Sequence, residues 1–100
     1  MTPTQLRASA HTDPDPPVDL VPEARALWLG EAGRWDEAHH LAQEIASPLG
    51  SWIHALLHLI EGDTGNASCW FARAGRPAVA SAEVSAEWDR IAAVVCESRR

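Results

Sequence analysis

Displacing the chain against itself by 29 residues superposes Ala26 on Ala55, Gly33 on Gly62, Ala38 on Ala67 and Pro48 on Pro77. Each of these residue types restricts the backbone in its own way. Alanine lets two helix axes approach closely, glycine adopts the left-handed conformation that stops a helix, and proline does not continue one. The shared order, alanine, glycine, alanine, proline, is what a pair of helices joined by a tight turn requires. The register therefore predicts two consecutive helical hairpins over residues 22–77, in which the glycines end the first helix of each pair and the prolines the second.

Apolar spacing fills in the helices. Pro22 suits a first helical turn, with Asp19 upstream as a candidate cap, and Ala24, Leu27 and Trp28 follow at helical intervals until Gly33. A second helix runs from Trp35 to about residue 46, with Ala38, Leu41, Ala42 and Ile45 on one stripe. The third, over residues 49–61, is apolar on most of its circumference through Trp52, Ile53, Leu56, Leu57, Leu59 and Ile60, which predicts a central position. Asp63 is the expected N-cap of a fourth helix buried through Ala67, Trp70, Phe71 and Ala74 and stopped at Gly75 and Pro77. A fifth, capped by Ser81, carries Val84, Trp88, Ile91, Ala92 and Val95 inward and turns Glu83, Glu87, Asp89, Arg90 and Glu97 to water.

The segments Gly33-Arg34-Trp35-Asp36-Glu37-Ala38 and Gly62-Asp63-Thr64-Gly65-Asn66-Ala67, with the Ala67, Phe71, Pro77 order that closes the second unit, resemble tetratricopeptide repeats. The 29-residue spacing is shorter than the roughly 34 of that family, and Ala42 stands where the first unit would carry its aromatic residue. The stretch from Trp52 through Pro77 also resembles a group of short bacterial proteins of unassigned function, a likeness that implies a helical fold and brings no activity with it. The expected fold is all-α: two antiparallel helical hairpins, tetratricopeptide-like, plus a C-terminal capping helix. Residues 1–20, with Pro3, Pro14, Pro16 and Pro17 among Thr, Asp and Ser, are expected to be a disordered Pro-rich tail, and residues 21–100 a single helical-repeat domain.

Composition narrows function. Eight basic residues, all arginine, stand against fourteen acidic ones, a formal charge of -6 with no positive footprint for nucleic acid. No stretch approaches the roughly 18 to 20 apolar residues of a membrane-spanning helix, and the first 22 residues lack the pattern of a secretory signal, so a cytoplasmic protein is expected. Cys69 and Cys96, 27 residues apart, fit neither a zinc framework nor a disulfide scaffold and are expected as free buried thiols.

His54 and His58 are four apart, which places both imidazoles on one helix face at the spacing used to share a metal ion. Glu61, Asp63 and Asn66 lie just beyond, and a third ligand would come from Asp63, His39 or His40. Ala55 occupies the position where an HExxH motif carries its glutamate, which excludes that zinc-protease pattern. His39 and His40 are neighbours about 100° apart around a helix and read first as a solvated pair. Gly62–Asn66 lacks the lysine of a phosphate loop and reads as a turn. Trp35, off the apolar stripe, either staples its hairpin or stays exposed as an anchor for a partner. The leading expectation is a non-enzymatic interaction module that binds a protein or peptide, or a second copy of itself as a homodimer, with no cofactor and no catalytic residue. The alternative is a small metal-binding or hydrolytic protein built on His54, His58 and Asp63.

Overall fold

The computed structural model describes residues 1–97, and among them the chain is all-helical, with no strand. In order the helices are α1 (Pro3–Thr12), α2 (Pro22–Glu31), α3 (Trp35–Gln43), α4 (Pro48–Ile60), α5 (Thr64–Ala74) and α6 (Val84–Glu97). Helix α2 pairs with α3 and α4 with α5, which gives the two hairpins, while α6 packs on α2 and α4 as the closing helix. No described helix is long and apolar enough to cross a membrane.

The repeat has a counterpart in backbone geometry. Gly33 and Gly62 adopt positive φ values of 80° and 87°. One residue later the Arg34 amide donates to the Leu29 carbonyl, and the Asp63 amide to the His58 carbonyl, each at 2.9 Å. The two turns thus satisfy the same orphan carbonyl 29 residues apart. Ala26, Ala38, Ala55 and Ala67 are all buried. The prolines behave differently from the expectation. Helix α3 already ends at Gln43, and Pro48 is the first residue of α4, where its missing N–H has no helical partner to lose. Ser47 precedes it as N-cap and accepts from the Gly50 amide at 3.1 Å. Asp63 caps α5 as expected, whereas α2 is preceded by Val21 without a side-chain cap, so Asp19 does not serve there. Ser81 opens a 3-10 turn that leads into α6 instead of capping that helix.

Two further expectations need correction. Over residues 3–12 the expected tail is a helix. Thr2 and Gln5 form a reciprocal capping box, Pro3 occupies the first turn, and Leu6 and Ala10 are buried. Helix α1 packs on α2 and α6, where Arg7 pairs with Asp89 at 2.7 Å and lies 4.3 Å from the centre of the Trp88 ring. Proline content misleads because Pro14, Pro16 and Pro17 all fall in the connection after this helix, and Pro3 favours a helix start. Glu87, expected to face water, is buried instead. Its carboxylate accepts from Trp52 Nε1 at 2.7 Å and from Arg90 Nε at 2.6 Å, so a buried indole N–H and the charge are both satisfied.

The apolar helix over residues 48–60 is central, as its composition predicts: Trp52 through Leu59 are all buried, and α4 touches α2, α3, α5 and α6. Gly50 is where it runs closest to the connection from α3. A Cβ there would collide with the Ile45 carbonyl oxygen and lie 2.8 Å from Ile45 Cβ. Gly50→Ala is therefore expected to cost about 1–3 kcal/mol of unfolding free energy by urea denaturation. Leu6→Ala is expected to cost about 2–5 kcal/mol in the same assay, and a loss below about 0.5 kcal/mol would mean that α1 does not dock.

Candidate functional site

Two helices each present a ring pair at a spacing of four residues, Trp35 and His39 on α3 and His54 and His58 on α4, and packing of α3 against α4 brings the pairs face to face. Trp35 stacks on His39 with ring centres 4.6 Å apart and an interplanar angle of 12°. His39 meets the other two imidazoles edge-on, at 4.5 Å from His54 and 5.2 Å from His58. From α5, Trp70 lies flat against His54 at 3.7 Å, and Arg73 covers Trp70 with its guanidinium carbon 4.5 Å from the ring centre. Five rings from three helices thus form one cluster. The Trp35 indole N–H donates to the Leu57 carbonyl at 2.6 Å, so this residue staples α3 to α4 and is half-buried.

A line of hydrogen bonds runs through the cluster. Glu61 Oε2 lies 2.7 Å from His58 Nδ1, and His58 Nε2 lies 3.1 Å from His54 Nε2. With Glu61 ionised, His58 Nδ1 carries a proton and donates it; in the neutral ring Nε2 is then a bare acceptor for the His54 Nε2–H. Burial holds the His54 pKa down at about 4, with the neighbouring His39, His58 and Arg73 acting in the same direction. Burial also lowers that of His39, and His58 adds to the effect, while Glu61 and Asp36 oppose it. These two imidazoles are therefore neutral at pH 7, and their nitrogen lone pairs are not all occupied by protons.

Of the residues singled out in the sequence, His54 and His58 are buried side by side and Glu61 is bonded to His58. Asp63 lies close enough to His58 and Glu61 to share an ion with them, but it is exposed and serves as helix cap: it accepts from the Asn66 amide at 3.1 Å. Asn66 is exposed beside it. The reading of His39 and His40 as a solvated pair holds for His40 alone, which is exposed, while His39 turns inward. Cys69 is exposed, contrary to the expected burial, and lies outside the cluster. Trp70 was legible only as a core residue. The matched four-residue spacing of Trp35 with His39 and of His54 with His58 was the available signal that two faces meet.

One ring nitrogen from each of His39, His54 and His58 falls within 4.8 Å of the others. Imidazole nitrogens about 2.0–2.1 Å from a tetrahedral zinc ion stand roughly 3.3 Å apart. The His54–His58 separation of 3.1 Å already approximates one such edge. Protonation tests the description of the cluster in the ion-free chain. Because the folded pKa of His54 is lowered, its contribution to stability is complete above about pH 6.5 and is lost as pH falls toward 4. In EDTA, unfolding free energy is expected to fall across that window by up to about 1.4 kcal/mol per pH unit from this group, and His54→Leu is expected to flatten the profile. Parallel profiles for the two proteins would contradict the buried neutral imidazole. Against known proteins, no family model, no curated protein and no solved structure matches this chain, so the cluster's own chemistry is the basis for a function.

Proposed function

We propose that this chain binds a divalent transition-metal ion through His39, His54 and His58. The observation that carries the reading is the convergence of three imidazole nitrogens within 4.8 Å, two of them buried on one helix and the third brought in from another. Three imidazole nitrogen donors without a thiolate suit zinc, cobalt, nickel or copper(II) better than calcium or magnesium, which take oxygen ligands. Glu61 has the position of an outer partner. It keeps the proton of His58 on Nδ1, which frees Nε2 for the ion. In the ion-free state the His54 Nε2–H donates to His58 Nε2, and an ion held by both Nε2 atoms would require the His54 proton to move to its Nδ1. The depressed basicity of His39 and His54 means that an ion meets little proton competition at neutral pH.

Three protein ligands leave one tetrahedral position for water or a small ligand, and the proposal is one of binding. The paired hairpins remain compatible with a protein partner. Trp35 offers that reading no free indole N–H, since its own is bonded to Leu57.

Titration with cobalt(II), followed by its visible absorption, and with zinc by calorimetry is expected to give one equivalent bound. Alanine at position 39, 54 or 58 should weaken binding by roughly 100-fold or more, and Glu61→Gln by about 10- to 100-fold. His11→Ala and His40→Ala should leave it unchanged, and helicity by circular dichroism should persist in every variant. The absence of saturable binding, or equal binding by the triple alanine variant, would end the proposal.

A further inference from the structure

Helix α3 fixes itself in the core with few large side chains. Its fully buried residues are Ala38 and Ala42, both small, whereas α2 buries Leu27 and Trp28 and α5 buries Phe71. Its N-cap, Arg34, makes no side-chain cap hydrogen bond, while the equivalent position at the start of α5 is capped by Asp63. The bidentate pairing of Arg34 with Glu37 is exposed and contributes little. What secures the α4-facing side of α3 is Trp35, through its bond to Leu57, and His39, through ring contacts with His54 and His58. His39 is also the one member of the imidazole triad that does not belong to α4.

We propose that α3 is a metal-gated element: an ion held between His39 and the α4 pair locks α3 onto α4, and its loss lets α3 open while the rest of the bundle stays folded. The inference rests on the metal-binding reading above. An ion that binds only the docked arrangement shifts the docking equilibrium by a factor of one plus its concentration over its dissociation constant. Openings of this kind draw on the least stable segments of a fold, and the small buried side chains of α3 suit it to that part. An open α3 would bare the half-buried Trp35 and Leu41 together with the α4 surface that they cover.

Hydrogen–deuterium exchange on the full chain, with zinc and with EDTA, tests the gate. With zinc at about 100 times its dissociation constant, exchange across residues 35–43 is expected to slow by up to about 100-fold, against less than about 3-fold in α1 and α6. In His39→Ala, zinc should leave residues 35–43 unchanged while the α4 pair still holds the ion weakly. If calorimetry shows one equivalent of zinc bound but the slowing is uniform along the chain, or bypasses α3, the gate is overturned and the metal reading stands. If zinc does not bind, both fall.

Discussion

Helix α4 is enclosed by four other helices, and from Trp52 to Leu59 it leaves no side chain to water. Enclosure on this scale sets terms for everything polar along the helix. An imidazole inside it cannot be solvated, so it must either surrender its charge or find partners in the protein. His54 and His58 do both: burial disfavours the imidazolium of His54, the two rings share a hydrogen bond, and Glu61 at the end of the helix takes the outer Nδ1–H of His58. The His54 and His58 pair is a by-product of the same burial that makes α4 the spine of the fold, which is why the two rings lie close together away from water.

The tryptophans extend that economy to the rest of the molecule. The indole N–H of Trp28 reaches Ser9 on α1, that of Trp52 reaches Glu87 on α6, and that of Trp88 reaches the Leu27 carbonyl on α2. Each bond joins two helices, and those of Trp52 and Trp88 join helices that are not consecutive in the chain. Arginine covers the rings from outside, with Arg7 over Trp88, Arg73 over Trp70 and Arg76 over Trp52. The planar guanidinium suits a stacked cation better than an ammonium does, and all eight basic side chains of this protein are arginine. Among the described residues, no buried side-chain nitrogen or oxygen lacks a partner.

Much of the fold was legible because local signals and tertiary demands agree. Gly33 and Gly62 end helices, Asp63 begins one, and the apolar circumference of α4 placed it at the centre. The failures have physical causes of the same kind. Composition hid α1, since the side chains that it buries are few, Leu6, Ser9 and Ala10, and its capping box joins only Thr2 and Gln5. Amphipathic periodicity hid Glu87, whose burial is stabilised by Trp52 from 35 residues away. The candidate site was half legible: a single helix reveals the His54 and His58 pair through its spacing, but the arrival of His39 depends on how α3 rotates against α4, and no spacing within either helix encodes that rotation.

The docking of α1 bears on the order in which the molecule is built. Arg7 bonds to Asp89 and to the Ser85 carbonyl, groups 82 and 78 residues further along the chain. A ribosome makes α1 before α6, so the part of its docking surface that holds Ser85 and Asp89 follows 78 to 82 residues later. Until α6 has folded onto α2 and α4, Arg7 lacks these partners and α1 rests mainly on α2. The hairpins, whose partners are adjacent in sequence, face no such delay.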